Sequence, residues 1–252
     1  MTFKLKTIFF IAILFLPVAV LAHQPRLVKE NIVEVEKPMI SQAFFGDLEG
    51  GTTTFRIVSD TEFNLYVGLL LPDVEGVDTN IFAKIYKKPS VEDDVEDNNK
   101  VAVVENFVDE EVISILDGST YNWTKFYEKF AGDNYLWGPE FASINSSKKS
   151  LEGVAMMPGE YFVDVYSDSL DQKYILTIGE EEIFDASAVL LSTKIVPQIK
   201  KDYFGLSFLG VFSGYMAIYF IVPLAIIVMF LSMAVVITIS QVRDKYKHSG
   251  RK

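Results

Sequence analysis

Apolar and polar side chains alternate in short segments along residues 32–178, and many of the apolar positions hold β-branched or aromatic residues. A period of two places successive side chains on opposite faces of a β-strand. Turn residues separate the segments and no helical period intervenes, so the pattern predicts a mainly β domain, an antiparallel β-sandwich over residues 26–180. The predicted strands are residues 32–36, 40–48, 53–58, 63–69, 81–86, 101–104, 112–116, 161–165 and 174–178.

The last two predicted strands lie in the stretch MPGEYFVDVYSDSLDQKYILTI, residues 157–178. Pro158 and Gly159 introduce the first of these strands, and residues 168–171, which begin and end with aspartate, separate the two. Proline, glycine and aspartate favour turns because of their backbone geometry and their local hydrogen bonds. The stretch is therefore predicted to form a β-hairpin.

Two segments interrupt the alternation. Residues 90–99, SVEDDVEDNN, are predicted to form an acidic, solvated loop. Residues 121–141 are predicted to be a second irregular segment, and they include both tryptophans of the chain. Exposed rings there could stack on a glycan or anchor a protein partner. Buried rings would instead extend the core, which we favour because large rings are highly buried on average. The candidate ligand-binding rings are Trp123, Tyr127, Tyr135 and Trp137.

After Gly179 the apolar residues recur with a helical period. This predicts an amphipathic connector over residues 181–207, which either packs against the sandwich or lies at a membrane surface. Pro197 is predicted to end or bend the helix, since proline lacks a backbone N–H. The apolar face of the connector holds Phe184, Ala188, Leu191 and Ile195.

The two ends of the chain predict a membrane protein. Residues 1–22 have two lysines ahead of an apolar run that ends in small residues, which is typical of a cleaved signal peptide; an uncleaved anchor is the alternative. No charged residue occurs between Asp202 and Arg243, which predicts one transmembrane helix over residues 214–241. Residues 242–252 are basic and predict a cytoplasmic tail. We therefore expect a single-pass protein of the cell membrane whose N-terminal domain is extracytoplasmic.

Charge and cysteine content limit the chemistry further. Residues 23–242 contain 16 basic and 33 acidic residues, and this acidity excludes nucleic acid as an expected partner. The chain has no cysteine, so disulfides, thiolate metal sites and a cysteine nucleophile are excluded. An exported, acidic, cysteine-free domain favours a prokaryotic cell envelope. The expected partners are membrane lipid, through one helix, and a membrane protein or a glycan.

Two segments resemble a known family. GTTTFRIVSDTEFNLYVGLLLP and MMPGEYFVDVYSDSLDQKYILTIG, residues 51–72 and 156–179, are similar to strands and turns of the pre-peptidase C-terminal (PPC) type of bacterial β-sandwich. The resemblance implies a jelly-roll-like, non-catalytic accessory module, which binds calcium in some members. The layout also resembles that of uncharacterised single-pass envelope proteins of prokaryotes. The chain departs from the family at Gln172 and Lys173, where the final turn usually has a glycine.

Metal binding is the alternative function. Cleavage after Ala22 would make His23 the N-terminal residue, and its amine and a ring nitrogen could then chelate copper. The acidic loop offers oxygen ligands for calcium, although it lacks the glycine and the ligand spacing of an EF-hand loop. Calcium and copper are thus the candidate ions, and no other cofactor is expected. The candidate metal ligands are His23, Asp93, Asp94 and Asp97.

The histidines argue against an enzyme. His23 and His248 are the two histidines of the chain, and the predicted transmembrane helix separates them. A catalytic triad needs a general base with a fixed partner and tautomer, which a histidine near a free terminus does not provide. We therefore predict no catalysis and expect a role in binding or assembly, or as an accessory subunit.

Overall fold

The structure is a computed structural model. It describes residues 23–88, 110–146, 150–169, 171–183 and 185–249. Several predicted features lie outside the described residues: the signal peptide 1–22, the acidic loop 90–99 and the strand 101–104. The same holds for the candidate calcium ligands Asp93, Asp94 and Asp97.

In the described part of the chain, the strands come first and the helices follow. In chain order the strands are β1 Gln24–Leu27, β2 Ile32–Glu34, β3 Gln42–Asp47, β4 Thr53–Ser59, β5 Phe63–Leu65, β6 Val67–Pro72, β7 Ile81–Lys87, β8 Glu111–Asp117, β9 Thr124–Glu128, β10 Asp133–Phe141, β11 Ser143–Asn145, β12 Ser150–Glu152, β13 Val154–Met156, β14 Gly159–Ser167 and β15 Lys173–Ile178. The helices are α1 Ala186–Phe204, a 3₁₀ helix Phe208–Ser213 and α2 Ala217–Ser249.

The strands form two large sheets and two small ribbons. The six-stranded sheet has the order β1-β3-β15-β6-β10-β9, and the five-stranded sheet has the order β2-β4-β14-β7-β8. The ribbons pair β11 with β12 and β5 with β13. Pairing is antiparallel except that the edge strands β1 and β2 run parallel to β3 and β4. The predicted mainly β fold with an antiparallel sandwich is confirmed.

The core lies between the inner faces of the two large sheets. Phe55 and Ile57 of β4 and Val163 of β14 point into it from the five-stranded sheet, and Leu69 and Leu176 point into it from the six-stranded sheet. All five side chains are fully buried. Each such side chain stabilises the fold by about 1.5–3 kcal/mol relative to its exposed state. The alternation seen in the sequence therefore marks the inner faces correctly.

The predicted hairpin at residues 157–178 is wrong. β14 belongs to the five-stranded sheet and β15 to the six-stranded sheet, so the chain crosses between the sheets instead of turning back beside itself. Val163 and Leu176 enter the same core from opposite sides. The predicted strand 63–69 divides in the same way, because β5 pairs with β13 whereas β6 joins the six-stranded sheet. Alternation identifies a buried face but does not identify the neighbouring strand.

The prediction of an irregular segment at residues 121–141 is also wrong. Most of this segment forms β9 and β10, an antiparallel hairpin at one edge of the six-stranded sheet. The pairing of β10 with β6 shifts register between Trp137 and Glu140, where Gly138 and Pro139 lie. A bulge breaks the period of two, which explains why the alternation is not evident in the sequence.

Helix α1 has well-defined ends. Asp185 accepts a hydrogen bond from the N–H of Ala188 at 2.8 Å, as an N-cap residue does. Gly205 ends the helix with φ of 63°, a left-handed conformation that glycine adopts readily. The helix passes through Pro197, so of the two predicted alternatives, that Pro197 ends the helix or bends it, the first is wrong. Ile199, which follows the proline, is buried against the six-stranded sheet, and this packing stabilises the last two turns.

Helix α2 is the most apolar element. Within the described residues it is the one helix long and apolar enough to cross a membrane, over Ala217–Arg243 with a mean hydropathy of 2.9. None of that segment is buried by the rest of the chain. Its 27 residues span about 40 Å, which exceeds the thickness of about 30 Å of a bilayer core.

Candidate functional site

Helix α1 covers the outer face of the six-stranded sheet. Phe45, Tyr135, Ile175 and Ile199 belong to one cluster of buried residues on this face. At the end of the helix, Tyr203 packs edge-on against Phe45, with ring centroids 5.3 Å apart. The sheet therefore has apolar residues on both faces. This explains why β3 and β6 are buried almost throughout, as strands covered on both sides are.

A buried ion pair joins α1 to the sheet. Lys200 Nζ lies 2.6 Å from Asp133 Oδ1, and the two side chains are 0% and 1% exposed. Lys200 also donates a hydrogen bond to Ser213 Oγ at 3.2 Å. A single side chain of α1 therefore contacts both β10, through Asp133, and the 3₁₀ helix, through Ser213. Asp133 Oδ2 has no hydrogen-bond partner within the described residues. Burial raises the pKa of Asp133, and Lys200 opposes that shift.

The turn of the β9–β10 hairpin holds the start of α2. Tyr215 and Met216 donate backbone hydrogen bonds to the carbonyl oxygens of Lys129 and Phe130, at 3.0 and 2.9 Å. The turn itself is fixed by Glu128, whose carboxylate accepts hydrogen bonds at 2.6 Å from the N–H groups of the two residues that precede Gly132. Burial raises the pKa of Glu128 above its ordinary value, and the hydrogen bonds from these N–H groups oppose part of that shift. The hairpin and α2 are thus joined by backbone contacts.

Between α1 and the sheet lies a cavity of about 60 Å³, which we call the α1 groove. Pro25, Ala43 and Thr177 face one another in register and form a row of small side chains. The neighbouring row contains larger residues such as Phe45 and Ile175, which pack against the helix. Because the side chains of the first row are small, they leave a space between the sheet and α1, beside the larger residues that contact the helix. The α1 groove is lined by His23, Pro25, Ala43, Phe45, Leu70, Phe126, Glu128, Phe130, Ala131, Tyr135, Trp137, Ile175, Thr177, Val196 and Ile199.

The four candidate rings do not share one surface. Tyr135 and Trp137 face the α1 groove. Trp123 packs against the inner core instead, where its Nε1 donates a hydrogen bond to the carbonyl oxygen of Gly118 at 2.7 Å. Tyr127 is exposed on the edge strand β9, and its hydroxyl lies 3.3 Å from the carbonyl oxygen of Ser213. The aromatic segment thus serves mainly to contact the connector and the start of α2.

His23 lies at the rim of the α1 groove. The Nδ1 atom of His23 contacts the hydroxyl of Ser41. A copper chelate that includes the terminal amine would use this same nitrogen. Within the part of the chain that the structure describes, no three His, Asp or Glu side chains come together in a way that could hold a metal ion. The described residues around His23 therefore include no such group of three ligands.

We expect His23 to titrate far below the usual range. Burial lowers its pKa from 6.5 to about 4. Because the unfolded chain takes up the proton first, the stabilisation by the neutral ring is complete above pH 6.5 and is lost as the pH falls from 6.5 to 4. NMR of the histidine ring protons, with His23→Gln for assignment, would measure this pKa. A midpoint near 6.5 would show that the ring is solvated.

Sequence reasoning missed Asp133, Lys200, Ser213 and Glu128. Lys200 follows the buried Val196 by four residues, so it lies on the same helical face. That spacing is a signal that a charged residue faces the sheet. Asp133 is 67 positions away from Lys200 in the chain, and no local pattern connects the two.

No protein-family model matches the chain, and no curated protein matches it. Among solved structures, the chain is similar to the pre-peptidase C-terminal domain of collagenase from Bacillus anthracis. That match has 13% identity and a TM-score of 0.27, and it covers 62% of this chain and 94% of the other.

Proposed function

We propose that this chain is a membrane-anchored, non-enzymatic protein of the cell envelope whose β-sandwich lies outside the cytoplasm. In this proposal the sandwich acts in binding or assembly, or as an accessory subunit beside a membrane partner. The supporting observation is the set of contacts that joins the sandwich to α2, from which we infer a rigid junction. Lys200 and Asp133 fix α1 to the sheet, and Tyr215 and Met216 fix the start of α2 to the hairpin turn.

A rigid junction is suited to binding a neighbour in the same membrane. A flexible linker would let the sandwich rotate, and each binding event would then have to restrict that motion at an entropic cost. Here the orientation is set before a partner arrives. The same junction would bring no advantage to a domain that acts on freely diffusing small molecules.

An exposed apolar pair supports the binding role. Ile144 is 78% exposed and stands directly opposite Leu151 in the β11–β12 ribbon. Leu151 is exposed as well. Contiguous exposed apolar surface marks protein interaction sites, whereas single exposed apolar side chains are common on any surface. The ribbon is therefore the surface on which we place a protein partner.

Single-cysteine variants would test both the orientation and the binding role. The chain has no cysteine, so each introduced cysteine is unique. In intact cells we expect a membrane-impermeant maleimide to label Ile144→Cys but not a cysteine appended after Lys252. An impermeant bifunctional reagent should then join Ile144→Cys to one discrete heavier species.

Asp60→Cys provides the matched control, because Asp60 is exposed in the polar turn between β4 and β5 and is not part of the ribbon. It should be labelled equally and should give no heavier species. Labelling of the appended cysteine alone would show that the orientation is reversed. Labelling of Ile144→Cys without any heavier species would contradict a partner at the ribbon.

A further inference from the structure

Several large apolar or aromatic side chains are exposed in the segment that joins α1 to α2. The most exposed of them is Leu209, at 70%. The segment carries no charge, because the chain has no charged residue between Asp202 and Arg243. An apolar patch, unlike a single exposed side chain, marks an interaction site. The side chains of this surface, which we call the 206–215 patch, are Leu206, Phe208, Leu209, Phe212 and Tyr215.

The 3₁₀ helix presents part of this patch outward while another of its faces contacts α1. Residues three positions apart share a face of a 3₁₀ helix. On the face of Gly210 and Ser213, Ser213 Oγ accepts a hydrogen bond from Lys200 at 3.2 Å, and a Cβ on Gly210 would lie 3.2 Å from Lys200 Cδ. Leu209 and Phe212 share a different face, and both are exposed. The contact with α1 therefore fixes which side chains of the 3₁₀ helix point outward.

The 206–215 patch is continuous with the apolar surface of α2. Phe220, in the first turn of α2, contacts Phe208 and Phe212, with ring centroids 6.1 and 6.2 Å apart. Ile218 and Ile221 belong to the same part of α2 and are exposed as well. What covers the first turns of α2 would therefore also lie against the patch.

The length of α2 indicates what covers this surface. Its apolar segment spans about 40 Å, whereas a bilayer is about 30 Å thick in its hydrocarbon core and about 40–45 Å thick with its two interfacial layers. A helix of this length that crosses a bilayer begins within an interfacial layer. The segment begins at Ala217, so the residues just before it would lie at the same depth. Tyrosine is enriched at that depth, and Tyr215 belongs to the patch.

We propose that the 206–215 patch lies in the interfacial layer of the bilayer on the side of the sandwich, where Leu209 and Phe212 contact the acyl chains of the surrounding phospholipids. This inference rests on the proposed membrane anchoring and goes beyond it, because an anchoring helix alone does not bring any part of the sandwich side into lipid. Apolar side chains of an interfacial helix reach the boundary between headgroups and acyl chains in this way. Since Lys200 joins the 3₁₀ helix to α1, the lipid contact would also hold the sandwich at one height above the membrane.

Spin labels on single cysteines would test this inference in the full-length protein, placed in phosphatidylcholine nanodiscs. The chain has no cysteine, so each label has one position. Leu209→Cys reports on the patch, and Val228→Cys reports on the exposed surface near the middle of α2. Oxygen concentrates in lipid and a nickel chelate stays in water, so the ratio of their collision rates with the label measures depth. We expect oxygen to collide several-fold more often than nickel at Val228→Cys, and by a smaller factor, still above one, at Leu209→Cys.

Leu190→Cys is the matched control. Leu190 is also an exposed leucine, but it lies near the other end of α1, about 21 Å along the helix from Phe204. We expect nickel to collide more often than oxygen at this position. The three substituted side chains are exposed, so the fold should be retained, and circular dichroism would check this for each variant.

The outcomes separate this inference from the anchoring on which it rests. An excess of nickel collisions at Val228→Cys would contradict the anchoring itself. An excess of oxygen at Val228→Cys together with an excess of nickel at Leu209→Cys would overturn the lipid contact and leave the anchoring intact. Slow collisions of both reagents at Leu209→Cys would show that a protein, either a second copy or a partner, covers the patch instead of lipid. Equal oxygen excess at Leu190→Cys and Leu209→Cys would overturn the assignment of the contact to the patch.

Discussion

Lys200→Met is expected to lower the free energy of unfolding by about 3–5 kcal/mol. Methionine keeps the length of the side chain but leaves the Asp133 carboxylate buried with no cation beside it. Asp133 Oδ2 already lacks a hydrogen-bond partner within the described residues, so the variant would leave the whole carboxylate without a compensating charge. Denaturant unfolding of the full-length protein in detergent, followed by tryptophan fluorescence, would measure the change.

Two controls test whether the effect belongs to the buried pair. Lys201→Met changes the exposed neighbour on α1 and should cost well under 1 kcal/mol. Lys125→Met breaks an ion pair with Asp73 in which the lysine is 78% exposed, and such surface pairs contribute about 0–1 kcal/mol. A loss in Lys200→Met no larger than these would contradict the assigned role.

The double variant Lys200→Met/Asp133→Leu gives a further comparison. Removing both charges leaves no buried ion, and replacing a buried pair by apolar residues is often neutral or stabilising. We therefore expect the double variant to recover most of the stability that Lys200→Met loses. If the double variant were as unstable as the single one, the loss would come from packing and not from charge.

The sequence predicted the sandwich because the relevant signal is local. In β4, the alternation of Phe55 and Ile57 with polar residues identifies the buried face correctly. Where a second layer covers the outer face, as at β3 and β6, the alternation gives way to continuous burial. The sequence then shows an apolar run but not what covers it. In this chain the cover is α1, which lies more than 100 positions later than β6.

The site was harder to predict because its parts meet only through the tertiary fold. The rings of Tyr135 and Trp137 were visible as candidates, but the presence of α1 above them was not. Lys200 looks like an ordinary solvated lysine in a basic pair at residues 200–201. Its buried environment depends on the position of Asp133 in β10, and the register of that strand is displaced by a bulge.

The contact between the hairpin turn and α2 gives the second large prediction. Gly132 has φ of 77°, and a Cβ there would lie 2.5 Å from the carbonyl carbon of Ser213 and 2.6 Å from the nitrogen of Gly214. Gly132→Ala therefore meets both a backbone penalty of about 1–2 kcal/mol and overpacking that typically costs a further 1–3 kcal/mol. We expect a total loss of about 3 kcal/mol, measured by denaturant unfolding of the full-length protein.

Gly76→Ala separates these two causes. Gly76 has φ of 78°, almost the same as Gly132, but no atom lies within 4 Å of its added Cβ. It should show the backbone penalty alone, so the difference between the variants measures the contact with Ser213 and Gly214, which lead into α2. Hydrogen exchange gives an independent readout, because Gly132→Ala should expose the amides of Tyr215 and Met216 that bond to the turn, whereas Gly76→Ala should not. Equal stability losses with unchanged exchange at these two amides would mean that the sandwich and α2 are not rigidly joined, and the proposal of a fixed orientation at the membrane would lose its main support.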